Sequence, residues 1–133
     1  MRDPLLPAAV LVASGVRLVV VGTAALMVHR EADEAKDLDV VPECSPRGLE
    51  VLRPALAQLV ILGRAPAMCE LAIADVLTLA TSYGPVDLMM RRGREEFDGL
   101  ALRAVLTCVH GVEVPIASAT DAFRLRHLFK VNA

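Results

Sequence analysis

Two aspartates one residue apart, Asp37 and Asp39, stand in the stretch Lys36-Asp37-Leu38-Asp39-Val40-Val41. Successive side chains of a strand alternate between its faces, so the pair points the same way. At strand rise the two carboxyl groups lie roughly 6–7 Å apart, a spacing at which they share a divalent cation. Paired divalent cations serve in-line phosphoryl chemistry. Upstream, Val19-Val20-Val21 runs into Gly22-Thr23. Glycine lets a backbone approach a phosphate closely, and the Thr23 hydroxyl adds a donor. A phosphate-handling site is therefore the first expectation, against the plainer reading of a strand-to-helix turn beside surface acids.

These residues need a scaffold. Residues 16–21 are mostly β-branched and predict a central strand, and residues 23–28 start a helix. A polar connection with Glu31, Asp33 and Glu34 leads to a second strand over residues 37–41. Ser45-Pro46 caps and opens a helix with apolar positions Leu49, Leu52, Leu56, Leu59 and Val60. Residues 67–74 read equally as helix or strand. Residues 76–81 predict a strand, 82–85 a turn, and 86–90 a strand that carries one acid, Asp87. A short polar helix over 94–102 follows. Residues 104–109 and 112–117 predict a hairpin turning at His110-Gly111, and Ser118 caps a last helix from Ala119 to Lys130. An N-terminal helix over about residues 5–13 ends at Ser14-Gly15. Helices alternating with strands and closing in a hairpin predict an α/β (α+β) fold with a mixed sheet.

At 133 residues the chain is the size of one domain, taken as residues 1–133. Its formal charge of −2 excludes a global basic field for nucleic acid or an anionic membrane. Three Phe, one Tyr and no Trp leave no aromatic platform for stacking bases. Aliphatic residues and Ala carry the apolar fraction of 55%, which allows an exposed apolar patch for a partner or a second copy. Cys44, Cys69 and Cys108 form neither a zinc pattern nor a disulfide framework, so a reducing cytoplasm is expected. Residues 4–28 are mostly apolar, but Asp3, Pro4, Pro7 and Arg17 interrupt them. A helix followed by a buried strand explains them better than a leader or a membrane span.

Taken together, Val19-Val20-Val21-Gly22-Thr23, Asp37-Leu38-Asp39-Val40-Val41 and Gly84-Pro85-Val86-Asp87-Leu88 resemble the nucleotidyltransferase superfamily. The nearer resemblance is to small stand-alone bacterial members linked to toxin–antitoxin and abortive-infection systems. Ser118-Ala119-Thr120-Asp121 with Arg126 is similar to their late Ser-x-x-Asp-x-x-x-x-Lys helix, with Arg in place of Lys. The resemblance spans roughly residues 5–130. It implies that Asp37, Asp39 and Asp87 are the metal-binding and catalytic acids, and that Gly22, Thr23 and Arg126 contact a nucleoside triphosphate. Lys130 is a second candidate for neutralising phosphate, and Arg91, Arg92 and Arg94 for meeting a polyanionic substrate, against a plain exposed basic loop. The implied cofactor is Mg²⁺, and the implied acceptor is a hydroxyl of RNA, protein or a small molecule. The alternative is a catalytically inactive interaction module of the same fold, such as a toxin–antitoxin component, with a cognate partner or a homodimer. His29 is read as a helix-end residue and His110 as part of the hairpin turn, while His127 lies on the last helix with no evident partner in sequence.

Overall fold

The computed structural model describes the backbone of residues 3–132 and the side chains of residues 3–126. Lys130 and His127 therefore lie outside the described side chains. The strands are β1 (Leu18–Val21), β2 (Leu38–Pro42), β3 (Leu77–Thr81), β4 (Gly84–Leu88), β5 (Val105–Val109) and β6 (Val112–Ile116). They form one six-stranded sheet in the order β3-β4-β2-β1-β6-β5. β1 runs antiparallel to β2 and parallel to β6, and β2 runs parallel to β4. β3/β4 and β5/β6 are antiparallel hairpins. The helices are α1 (Leu6–Ala13), α2 (Gly22–Val28), α3 (Pro46–Ala55), α4 (Met68–Ile73), α5 (Met90–Arg103) and α6 (Ala119–Asn132), with a 3-10 turn at Leu56–Leu59. The mixed sheet, its flanking helices and the final hairpin and helix match the expected fold class.

The run Leu18–Val21 is wholly buried because β1 sits between β2 and β6 with helices packed on it. Its apolar side chains join Leu11, Leu38, Val40, Leu88, Met90, Leu100 and Ile116 in the core. Such continuous apolar character is what an interior strand requires. Ser45 caps α3 by accepting from the Gly48 N–H at 3.0 Å, and Ser118 accepts from the Asp121 N–H at 3.2 Å at the start of α6. His110 (φ 49°) and Gly111 (φ 80°) make the two-residue turn between β5 and β6.

Several boundaries differ from expectation for physical reasons. Asp37 stands just before β2 rather than inside it. β1 pairs with β2 only as far as Val21 opposite Asp39, and at Gly22 the chain already turns into α2, so Asp37 has no partner on that side. The turn before β4 is two residues, Ser82-Tyr83, and Pro85 already pairs within the hairpin opposite Ala80. Met90 is fully buried as the first residue of α5, so the strand stops earlier and the helix starts earlier than the polar run suggests. Residues 67–74 resolve as the helix α4. Val60 does not extend the apolar face of α3: it ends the 3-10 turn at φ 54° and is 56% exposed. Among the described residues no helix is long and apolar enough to cross a membrane. Cys44, Cys69 and Cys108 are free thiols.

Candidate active site

Gly22 directly follows β1 at φ +68°, a conformation that side-chain-bearing residues avoid. A Cβ added there would stand 2.5 Å from Asp39 Oδ2. The glycine thus does two things: it turns the chain into α2, and it leaves room for the Asp39 carboxyl group. Thr23, the next residue, is half-buried.

Asp39 of β2 lies in register with Asp87 of β4 across the parallel pairing. In-register residues of neighbouring strands point to the same face, so two acids 48 positions apart meet side by side. Their carboxyl groups thus stand as cross-strand neighbours on one face of the sheet. Burial pushes the Asp39 carboxyl group up to a pKa of about 7, aided by the hydrogen bond and negative charge of Asp87 and then by the charge of Asp37. Asp87 Oδ1 accepts a 2.6 Å bond from Thr78 Oγ1, its cross-strand neighbour on β3. Asp37, Asp39 and Asp87 line one cavity of about 540 Å³, together with Asp75, Val76, Met89, Arg91 and Arg92. Asp37 is exposed and also borders a neighbouring cavity with Asp33, Glu34 and Lys36. Among the described residues no three His, Cys, Asp or Glu side chains are gathered closely enough to hold a metal ion as they stand. The arrangement is an in-register Asp39–Asp87 pair with Asp37 on the same cavity.

The remaining candidates fall elsewhere. Arg126 lines a separate cavity with Leu26, Glu31 and Phe123, which none of the three acids borders. Asp121 is 5% exposed; burial raises its pKa, but hydrogen bonds from Arg103 and Arg124 outweigh that and hold it below the usual carboxylate range. Arg103 binds it at 2.7 and 3.2 Å, so the Ser118 to Asp121 motif anchors α6. His29 Nε2 donates to the Ala117 carbonyl at 2.7 Å and pins α2 to the end of β6. Cys44 is no nucleophile at neutral pH, because burial pushes its thiol up to about 11.

Thr78 and Asp75 escaped the sequence reading. A two-residue turn at Ser82-Tyr83 places Thr78 opposite Asp87 by counting alone, but a four-residue turn shifts that count. Asp75 follows the segment that reads equally as helix or strand. Arg91 and Arg92 are not part of a plain exposed loop: they begin α5 and face the acids.

No family model matches the sequence, and no curated protein matches it. The structure is similar to the crystal structure of a "putative nucleotidyltransferase" from Thermotoga maritima, with a TM-score of 0.61. The likeness covers 96% of this chain and 83% of that one at 14% identity. The chain thus has a nucleotidyltransferase-like fold, within which Asp39 and Asp87 stand in register and Gly22 packs against Asp39.

Proposed function

We propose that the chain is a minimal nucleotidyltransferase that uses Mg²⁺ and a nucleoside triphosphate to modify a hydroxyl group. The observation that carries this reading is the pairing of Asp39 with Asp87 beside Gly22, in a cavity that Asp37 shares. Burial first, and then the neighbouring Asp87, make a charged Asp39 carboxylate costly without a counter-charge, so Asp39 retains a proton up to about pH 7. A hard divalent cation with oxygen ligands supplies that charge, so the in-register carboxyl groups of Asp39 and Asp87 would hold Mg²⁺, and Asp37, at the side of the same cavity, would have to move in as the third ligand. When bound, Mg²⁺ would neutralise phosphate charge and favour the ionised form of the attacking hydroxyl.

The protein's own groups have separate tasks. Gly22 and Thr23 would seat the phosphate chain, where the missing side chain lets backbone and ligand approach. Thr78 holds Asp87 in place through its hydroxyl. Asp87 would take the proton of the acceptor hydroxyl. The acceptor oxygen then bonds to the α-phosphorus, the α–β bridging P–O bond breaks, and pyrophosphate leaves. Arg126 borders a different cavity, and its part in phosphate binding rests on the resemblance alone.

A nucleotide-dependent thermal shift tests the reading. Stabilisation by a triphosphate that requires Mg²⁺ and disappears in Asp37→Ala supports it; no response at millimolar nucleotide refutes it. A second reading is a catalytically inactive interaction module, such as a toxin–antitoxin component. Exposed Leu102, Val105 and Leu106 around the edge strand β5 favour it, because an open edge with apolar side chains can pair with another chain. In that case mixing with the partner, or a concentration series for a homodimer, raises stability with no nucleotide present.

A further inference from the structure

The cavity that holds the acids also has a basic wall, formed by Arg91 and Arg92. Both residues are fixed by the fold. The Met89 N–H donates to the Val40 carbonyl at 2.8 Å, and the Arg91 N–H donates to the Asp75 carbonyl at 3.0 Å. These bonds tie the first turn of α5 to β2 and to the segment before β3. Glu96, at the kink of α5 (φ −146°, ψ 19°), links Arg92 to Arg124 in a chain of ion pairs. It accepts from Arg92 Nη1 at 3.2 Å and from Arg124 Nη2 at 2.6 Å, and Arg124 also reaches Asp121 at 3.3 Å. Arg92 is thereby anchored from α6. Arg91 uses its Nε on Glu95 Oε1 at 2.6 Å. A guanidinium group carries five N–H donors in a rigid fork, so each arginine keeps donors for an anion in the cavity.

Strand order decides which anion they meet. Gly22 leaves β1 on one side of β2, whereas Arg91 and Arg92 follow β4 on the other side. Phosphates seated at Gly22 and Thr23 are thus across β2 from the arginines. A hydroxyl group activated at Asp87 is on the arginine side. We propose that Arg91 and Arg92 bind a phosphate group carried by the acceptor beside its attacking hydroxyl. This rests on the reading of the acids given above, and it narrows the acceptor to a phosphate-bearing hydroxyl compound. A nucleic-acid strand end and a phosphorylated small molecule share that chemistry.

The test uses the full chain with two probes, a fluorescein-labelled RNA oligonucleotide ending in a free 3′-hydroxyl and unlabelled ribose 5-phosphate as competitor. Wild type binds the oligonucleotide by anisotropy, and Arg91→Gln weakens it about tenfold, the effect of losing a charge-assisted hydrogen bond. Arg91→Gln/Arg92→Gln weakens it further. Arg91 is 63% exposed, so the single variant keeps the test sound even where loss of Arg92 disturbs folding. Displacement by ribose 5-phosphate identifies the small-molecule source, and resistance to it identifies the strand end. Equal affinity in wild type and double variant, or no wild-type binding of either probe at millimolar concentration, overturns the proposal. Mg²⁺–triphosphate thermal shifts run in parallel. A shift absent from wild type defeats the nucleotidyltransferase reading itself, whereas a shift lost only in the arginine variants shows that they hold the nucleotide and overturns the acceptor assignment.

Discussion

Asp39→Asn tests the central electrostatic feature. In the folded chain Asp39 holds its proton up to about pH 7, whereas an unfolded aspartate releases it near 3.8. A raised carboxylate pKa means that the folded state binds the proton more tightly. Its contribution is therefore complete below pH 3.8 and fades as pH rises through about 7. A difference of about three pKa units corresponds to roughly 4 kcal/mol, and the partial exposure of Asp39 reduces this to about 2 kcal/mol. Asparagine has the same shape, carries no charge and donates to Asp87 at every pH. Asp39→Asn should therefore be about 2 kcal/mol more stable than wild type at pH 8 without metal, or about 7 °C in Tm for a chain of this size. Near pH 4 the two proteins should unfold together. Added Mg²⁺ should raise the Tm of wild type at pH 8 and leave that of the variant nearly unchanged. Urea and thermal unfolding from pH 4 to 8, with and without Mg²⁺, give these numbers. A variant no more stable than wild type at pH 8, or a gap that does not change with pH, would refute the reasoning.

Gly22→Ala should cost about 2 kcal/mol in urea unfolding, since it places a Cβ 2.5 Å from Asp39 Oδ2 and forces a residue with a side chain to φ +68°. Adding Asp39→Ala should restore part of that loss by removing the contact while leaving the backbone strain. Thr78→Val deletes the 2.6 Å bond to Asp87 and should weaken Mg²⁺ binding by roughly tenfold in calorimetry, as loss of an outer-shell partner does. Asp121→Asn should lower stability by about 2 kcal/mol, because it removes the buried carboxylate that the part-exposed Arg103 and Arg124 hold, and should leave the Mg²⁺–triphosphate shift intact. The Asp121 pKa is lowered in the fold, so its stabilisation is present above the unfolded value and is lost as the solution is acidified. The acid limb of the wild-type curve should accordingly be steeper than that of Asp121→Asn.

Much of the scaffold was legible because its signals are local. Ser45-Pro46 and Ser118 announce helix starts through cap chemistry, and His110-Gly111 announces a turn through its tolerance of positive φ. The run from Leu18 to Val21 reads as an interior strand from its side chains alone. Val60 failed for a local reason of another kind: its spacing fits the α3 face, but Pro54 lies inside that helix and the chain tightens into a 3-10 turn before reaching it. Arg91 and Arg92 look like a solvated basic run until the start of α5 turns them over the acids.

Residue order along the chain was enough to mark Gly22, Asp37 and Asp39 as chemically suggestive, since glycine's conformational freedom and the alternation of a strand act over a few residues. The meeting of Asp39 with Asp87, the raised pKa of Asp39, the hold of Thr78 on Asp87 and the basic wall opposite belong to the tertiary structure. Each depends on which strands are neighbours and in what register. Strand neighbourhood and register are set by long-range packing of the apolar faces, and no short stretch of sequence encodes them.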